Sequence, residues 1–345
     1  MYSVNEEWKS TRRCLVHSVG IIAFLLIYGV LQERIMTRPY DHEVFDSSFF
    51  LVFCNRLLAV ICACVALFCR GESFRSEAPF WKYALVSLSN VAATACQYEA
   101  LKYVSFAVQM LGKSFKMIPV MAWSVYINQK SYDLEDCLVA LAVTAGVAEF
   151  CLMGPTLSRR IDDSQTTGFG YVLILGFLVF DGLTSTLQEQ LFKDHKTSRC
   201  NQMLYVNILS SIISSVLVLT AGQAGSSAAF LMDHNAFARD TTILSGAAVA
   251  SQYFIYAQVQ EFGALAMAVT MNIRQVCAII SSYLLYDHAI TKLQIMGLSI
   301  IFSALLYKWI HYFSEASMAE KQTILKSFED SPDSRVDGGS IDAKA

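Results

Sequence analysis

Two lysines lie inside an apolar stretch of this sequence that is long enough to cross a lipid bilayer. The stretch spans residues 106–127, with Lys113 and Lys116 near its middle. A lysine at the centre of a membrane helix costs roughly 2.5–3.5 kcal/mol, so two of them persist only where they face polar groups. Residues three or four positions apart share one face of a helix, which puts Gln109 beside Lys113. The spacing predicts a cationic, hydrogen-bonding stripe within a membrane.

Arg274 is a second cationic site inside an apolar window, and Gln275 and Asn272 extend a polar patch around it. One interpretation is structural: the three cations pair with acids in or near the apolar windows, for which Asp181, Glu149 and Glu99 are the candidates. An ion pair buried for structure alone gains little free energy, and few acids lie near the centres of the windows. The sequence therefore favours an anion-binding cavity lined by Lys113, Lys116 and Arg274.

Other polar residues in the apolar windows fit two interpretations. Arg56 could line the mouth of a cavity or extend its head group to the membrane surface. Gln188, Tyr205 and Asn207 could line a pathway or form hydrogen bonds between helices. Tyr98, beside the cationic stripe, could stack on a nucleobase.

The sequence contains no motif for catalysis. It has no HExxH, no GxSxG and no cluster of histidines, cysteines or acids at metal-ligand spacing. The Gly-Lys-Ser triplet at residues 112–114 lacks the earlier glycine of a P-loop, since position 107 is alanine. We therefore expect no enzyme activity, no metal, no cofactor and no nucleic-acid partner, and the chemistry predicted is recognition of charge.

The composition is that of a membrane protein. Of 345 residues, 54% are hydrophobic and 16% are charged, whereas soluble domains carry about 25% charged residues. Apolar windows of the length of a membrane span predict an all-α membrane protein with ten transmembrane helices. The windows are residues 14–33, 46–69, 80–103, 106–127, 134–153, 168–190, 203–221, 242–260, 263–286 and 291–313.

The connections between the windows predict the topology. Lysines and arginines are more numerous in the segments that share a side with the N-terminus, and an even number of spans puts both termini on that side, so both are expected in the cytosol. The first window is expected to be retained rather than cleaved. We predict a cytosolic tail at 1–13, a ten-helix membrane domain at 14–313, and a polar, disordered cytosolic tail at 314–345. Residues 222–240 form the longest connection.

The two halves of the chain show an internal repeat of residue types. Tyr98, Lys116 and Lys130 have counterparts 158 positions later in Tyr256, Arg274 and His288. A rival alignment pairs Gln97 and Tyr98 with Gln252 and Tyr253 and shifts the offset by three residues. Five spans separate the copies, and an odd number inverts the second copy relative to the first. The pattern predicts two inverted five-helix repeats, at about 14–153 and 168–313, with a ligand site near the bilayer midplane where they meet.

Several runs across residues 14–313 also follow the pattern of one family. The runs are Tyr98–Phe106, Gln109, Lys113, Lys116, Ile118–Met121, Phe180–Gly182, Thr184–Ser185, Gln188, Met203, Val206–Asn207, Phe262–Ala264, Thr270–Met271, Arg274–Gln275 and Tyr286 with His288. They resemble the nucleotide-sugar transporters of the drug/metabolite transporter superfamily. The branch resembled contains the transporters of 3′-phosphoadenosine 5′-phosphosulfate (PAPS) and the UDP-galactose transporter-related proteins.

The resemblance implies a function. It implies an antiporter that moves a nucleotide-activated donor from the cytosol into the Golgi or endoplasmic reticulum lumen in exchange for a nucleoside monophosphate. The expected donor is PAPS, with UDP-galactose or another UDP-sugar as the alternative, and homodimer formation is left open. Position 107, a common proline in the family, is alanine here, and the end of the chain has no dilysine pair, which favours the Golgi membrane.

Overall fold

The computed structural model describes residues 2–37, 39–41, 43, 45, 47–100, 103–104, 106–152, 168–286, 291–304 and 307. Within these ranges the regular elements are all helices, which confirms the predicted all-α class. The helices are α1 Tyr2–Thr37, α2 Ser48–Arg70, α3 Phe80–Ala100, α4 Phe106–Ser114, α5 Met117–Asn128, α6 Leu134–Leu152, α7 Gly168–His195, α8 Arg199–Thr220, α9 Ala224–Asp233, α10 Asn235–Tyr286 and α11 Lys292–Ala304.

Each predicted window falls on a helix in its described part, with three differences of detail. The fourth window is split into α4 and α5 by a turn at residues 115–116. The eighth and ninth windows join in α10, which kinks at Gly263. The connection predicted at 222–240 contains the short helix α9 and the start of α10.

The outer surface of the helices is apolar, as lipid contact requires. On α2, Leu57, Ile61, Val65 and Phe68 are 45–79% exposed and recur at helical spacing. Water would penalise such a stripe, whereas lipid does not. Among the described residues, four helical stretches are long and apolar enough by themselves to cross a membrane: Ser10–Gln32, Phe49–Arg70, Gly168–His195 and Arg199–Thr220.

The helices pair in a regular way. The first limb of α10 lies along α1, where the ring of Phe254 fills the space beside Gly20. Helix α3 packs against α7 and α2 packs against α8. Gly146 of α6 and Gly297 of α11 meet so closely that a Cβ at Gly146 would come within 2.8 Å of the Gly297 carbonyl oxygen. Glycine is therefore required at this crossing.

One end of the bundle is held together by Glu189. Its carboxylate, 2% exposed, accepts from Lys130 Nζ at 2.5 Å and from Lys193 Nζ at 2.8 Å. Its second oxygen accepts from the backbone N–H of Ala264 at 3.0 Å. The carboxylate thus joins the loop before α6 to the end of α7 and to the kink of α10. A second pair at this end joins Arg199 of α8 to Glu261.

The opposite end is sealed by aromatic side chains. The rings of Phe45 and Phe237 lie 4.5 Å apart, and Tyr40 meets Phe237 edge to face. The Tyr40 hydroxyl donates to Asp240 Oδ2 at 2.9 Å. Burial, with the hydrogen bond to Asp240, raises the pKa of Tyr40 to about 12, so the hydroxyl remains protonated at physiological pH. This cluster ties the α1–α2 connection to the start of α10.

The kink of α10 gives a first prediction. Gly263 has φ +84° and ψ 172°, a region open essentially to glycine alone, and a Cβ there would lie 3.0 Å from Glu189 Oε1. Gly263→Ala should destabilise the protein by about 1–3 kcal/mol, measured as a lower melting temperature in detergent. Gly246→Ala is the matched control on the same helix, because its Cβ would meet open space; it should be neutral or stabilising. Equal losses in both variants would contradict the account of the kink.

Candidate functional site

The site forms around the break between α4 and α5. Pro119 lacks a backbone N–H, and in a continuous helix its ring would clash with the carbonyl of the residue four positions earlier, Phe115. The chain avoids this clash with a tight turn, in which Lys116 N bonds to Lys113 O at 3.3 Å and Ile118 N bonds to Phe115 O at 3.2 Å. The turn holds Lys116 between two helix ends and separates it from the regular face of α4.

Three cations meet at this break. Lys116 Nζ lies 2.6 Å from Asp181 Oδ2 of α7, and Lys116 is only 8% exposed. Lys113 Nζ lies 5.8 Å from the centre of the Phe177 ring, one turn away on α7. Arg274, on the second limb of α10, acts electrostatically on Lys113 together with Asp181 and Lys116. Its buried Nε has no hydrogen-bond partner among the described residues.

The sequence left open whether the three cations pair with nearby acids, and the structure answers this in part. Of the candidate acids, Asp181 pairs with Lys116. Lys113 lies near the same acid and near Arg274, so among the described residues the cluster combines three positive groups with the Asp181 carboxylate. A net positive, partly dehydrated cluster attracts an anion more strongly than an exposed one would, since interactions between charges are less screened there. The arrangement is suited to an anionic ligand.

The amide side chains predicted for the site are distributed over several contacts. Gln109 Nε2 donates to the Gln97 carbonyl at 2.7 Å and so joins α4 to α3. Asn272 Nδ2 donates to the carbonyl of Ser114, at the end of α4, at 3.3 Å. Gln275 is 1% exposed. Of these, Asn272 bonds to the end of α4 next to Lys113. The described part of Tyr98 is its backbone in α3.

A second polar group lies between α2, α3, α8 and α10. Arg56 donates to Asn207 Oδ1 at 3.2 Å and to Asn90 Oδ1 at 2.6 Å. Asn207 also donates to Gln252 Oε1 at 3.2 Å. Tyr256 adjoins this group and accepts from Gln188 Nε2 at 3.4 Å. Arg56 therefore points into the bundle, which answers the choice between cavity and membrane surface.

Tyr205 lies apart from both groups. Its hydroxyl donates to the Phe74 carbonyl at 2.9 Å, and its ring stacks on Tyr83 at 5.1 Å, at the end of the bundle near the α2–α3 connection. The structure thus brings Lys113, Lys116 and Arg274 together, and separately Asn207 and Gln188. It leaves Tyr205 in a packing position.

Sequence reasoning missed parts of this arrangement. Pro119, inside the apolar window 106–127, was a signal for the helix break. Asn90 and Gln252 lie in apolar windows, and no spacing links them to Arg56 because they belong to different helices. Only the pairing of those helices joins them.

The apolar helical bundle with cations inside it is the architecture of a helical membrane protein, and comparison with known proteins gives its family. The family model of the UAA transporter family matches residues 13–311. The chain belongs to this family.

Curated relatives carry two kinds of name. "Adenosine 3'-phospho 5'-phosphosulfate transporter 1" of Dictyostelium discoideum is 42% identical over 84% of this chain and 82% of its own length. The human protein of the same name is 36% identical over 87% and 70%. "UDP-galactose/UDP-glucose transporter 5" of Arabidopsis thaliana is 41% identical over 89% and 90%. A protein crystal structure aligns with TM-score 0.61 at 11% identity, over 84% of this chain and 94% of its own, which is a likeness of fold alone.

The ion pair at the break gives a second prediction. Lys116→Met and Asp181→Leu should each destabilise the protein, because each leaves its partner charged and largely buried. The double variant should be more stable than the sum of the single losses predicts, with a coupling of about 0.5–3 kcal/mol, measured by melting temperature. Lys113→Met combined with Asp181→Leu is the control and should couple less. Additive losses at Lys116 and Asp181 would contradict the pairing.

Proposed function

We propose that this protein is an antiporter that carries PAPS from the cytosol into the Golgi lumen in exchange for a nucleoside monophosphate. The observation that carries the proposal is the cluster of Lys113, Lys116 and Arg274 at a helix break inside an apolar bundle, where Asp181 is the acid paired with Lys116. A ligand rich in phosphate and sulfate oxygens supplies the negative charge that this cluster lacks. The names of the relatives in Dictyostelium discoideum and in humans support the same substrate.

The predicted site residues would have different roles in recognising the ligand. Lys113, Lys116 and Arg274 would bind the phosphate and sulfate groups. Lys116 would exchange Asp181 for the ligand, or hold both, since a lysine ammonium has three donors. Gln109 and Gln275 would form hydrogen bonds to the ligand, as would Asn207 and Gln188 of the separate polar group, and Tyr98 would stack on the base.

The helix pairings support two inverted repeats. In two such repeats each span is equivalent to the span five places later, so α1 is equivalent to α7, and α3 to the first limb of α10. The pair of α1 with the first limb of α10 is then equivalent to the pair of α7 with α3, and both pairs are present. The pair α2–α8 is equivalent to itself. Near the axis of such a symmetry, equivalent residues contact each other. Asn272 donates to the carbonyl of Ser114, 158 positions earlier, which is the offset of the repeat in the sequence.

Alternating access follows from this architecture, with one half rocking against the other around the fixed site. Glu189 would be the latch of the gate at one end, because it ties Lys130 of the first half to α7 and α10 of the second half. Transport would then require the Lys130–Glu189 pair to separate and form again in each cycle.

A UDP-sugar is the alternative donor. The plant relative at 41% identity is named for UDP-galactose and UDP-glucose. The diphosphate of a UDP-sugar would suit the same cations. Exchange would then return UMP rather than an adenine nucleotide.

Counterflow in proteoliposomes tests the substrate and the site together. Labelled PAPS and UDP-galactose are offered to vesicles preloaded with AMP, adenosine 3′,5′-bisphosphate or UMP. We expect PAPS uptake to be stimulated by internal adenine nucleotide and to fall at least about tenfold in Lys113→Gln and in Arg274→Gln, because each loses a charged hydrogen bond to the ligand. Lys292→Gln, an exposed lysine at the start of α11, is the control and should transport normally.

The other outcomes are equally informative. UDP-galactose uptake driven by internal UMP would assign the alternative substrate. Uptake without stimulation by internal nucleotide would indicate a channel. Transport that survives both substitutions would contradict the cationic site for either substrate.

Orientation is tested with sealed Golgi vesicles. An epitope added after Ala345 should be digested by external protease, because a cytosolic C-terminus faces the outside of such vesicles. The same epitope inserted into the 153–167 connection should be protected until detergent is added. Protection of the C-terminal epitope would reverse the proposed topology.

A further inference from the structure

The bundle contains a second cationic position, Arg56, and its depth and surroundings bear on the substrate. Arg56 and its partner Asn90 are both half-buried, and their remaining exposure has to face either lipid or a space inside the bundle. The lipid-facing stripe of α3 is Trp81, Leu85 and Leu88, each at least 40% exposed. At 100° per residue, Asn90 lies on the opposite side of the helix.

Arg56 points the same way as Asn90, because its guanidinium bonds to Asn90 and also to Asn207, which is fully buried. The exposed part of this pair therefore faces a space inside the bundle. The two amide oxygens therefore orient the Arg56 guanidinium toward that space.

Asp181 faces the interior in the same manner. It lies across α7 from the lipid-facing residues Val172 and Leu175, yet its side chain is 25% exposed. Lys116 is bonded to it, so the cation cluster at the helix break borders an interior space as well.

The two positions lie at nearly the same depth in the membrane. Ser89 of α3 and Thr184 of α7 are hydrogen-bonded at 2.8 Å and mark a common level. These helices run antiparallel, so Asn90 lies one residue and Asp181 three residues beyond that level in the same direction. At 1.5 Å per residue the difference in depth is about 3 Å.

We propose that Arg56 is a specificity-determining residue that binds a second, separate anionic group of the ligand, opposite the group bound by Lys113, Lys116 and Arg274. The ligand class that this fits is a nucleoside phosphorylated at both the 3′ and 5′ positions, which has an anionic group on each side of its ribose. A UDP-sugar carries its charge in one diphosphate and has no group for Arg56. The inference rests on the proposed function and deepens it by assigning the 3′-phosphate.

Competition by two nucleotides that differ only in the 3′-phosphate tests the inference. Proteoliposomes with the full chain take up labelled PAPS, and adenosine 3′,5′-bisphosphate and AMP are the competitors. In the unmodified protein the bisphosphate should compete at a concentration at least about tenfold lower than AMP. In Arg56→Gln this preference should fall to about twofold or less, since a charge-assisted contact to one phosphate is lost.

Two further variants separate recognition from folding. Arg56→Lys keeps the charge and should keep part of the preference for the bisphosphate. Asn90→Leu removes one of the groups that orient Arg56 and should reduce the preference while leaving a folded, transporting protein. Arg70→Gln changes an exposed arginine on the same helix and should leave the preference intact. If Arg56→Gln does not fold, the Asn90→Leu result decides.

The outcomes distinguish this inference from the function on which it rests. If the protein transports PAPS but Arg56→Gln weakens both competitors equally, or leaves the preference intact, the assignment of the 3′-phosphate to Arg56 is overturned and the antiporter stands. If the protein exchanges UDP-sugars and no adenine nucleotide, both fall together.

Discussion

The cost of holding positive charge inside a lipid bilayer is the constraint on which the rest of this structure depends. Lys113, Lys116, Arg274 and Arg56 all lie within apolar windows, and none could be tolerated on a helix surrounded by lipid. Contacts inside the bundle offset this cost at each cation. Asp181 pairs with Lys116, two amide oxygens hold Arg56, and the ring of Phe177 lies beside Lys113. Each contact requires a particular helix to be adjacent, so the charges specify the packing as much as the packing accommodates the charges.

Two interruptions of regular helix serve this arrangement. Pro119 forces a tight turn that presents Lys116 between α4 and α5, and Gly263 lets α10 bend where the backbone of Ala264 reaches Glu189. Irregular backbone inside a membrane is tolerated only where protein or a polar space satisfies its groups. The first interruption lies at the cation cluster and the second at the end of the bundle that Glu189 holds together.

The ligand and the motion would be coupled through the same helices. α7 carries Asp181 at the site and Glu189 two turns further along, and α10 carries Gln252, Gly263 and Arg274 in sequence. A ligand that competed with Asp181 for Lys116 would act on the helix that also carries the latch. Such coupling requires no long path through the protein, because one rigid helix spans both positions.

Much of the site was predictable because membrane burial makes charge conspicuous. Lys113, Lys116 and Arg274 were identified from their position in apolar windows. The structure pairs Lys116 with Asp181 and places Lys113 near Asp181, Lys116 and Arg274. The split of the fourth window was missed, since hydropathy alone does not register the clash of Pro119 with the turn before it. Helix α9 was missed because a short helix outside the membrane windows lacks their strong apolar signal. Tyr205 was grouped with the site, but its hydroxyl bonds at the end of the bundle.

Residue types and a period of 3.6 residues are enough to predict which segments are apolar, where the cations fall along them, and that the class is all-helical. Helix packing accounts for the rest: Arg56 points inward, Asn90 and Asn207 bond to it, Gln252 bonds to Asn207, and Glu189 of α7 bonds to the loop before α6 and to α10. The reason is physical. Each of those contacts joins residues dozens of positions apart or more, and their meeting depends on how whole helices pair, which no local pattern along the chain encodes.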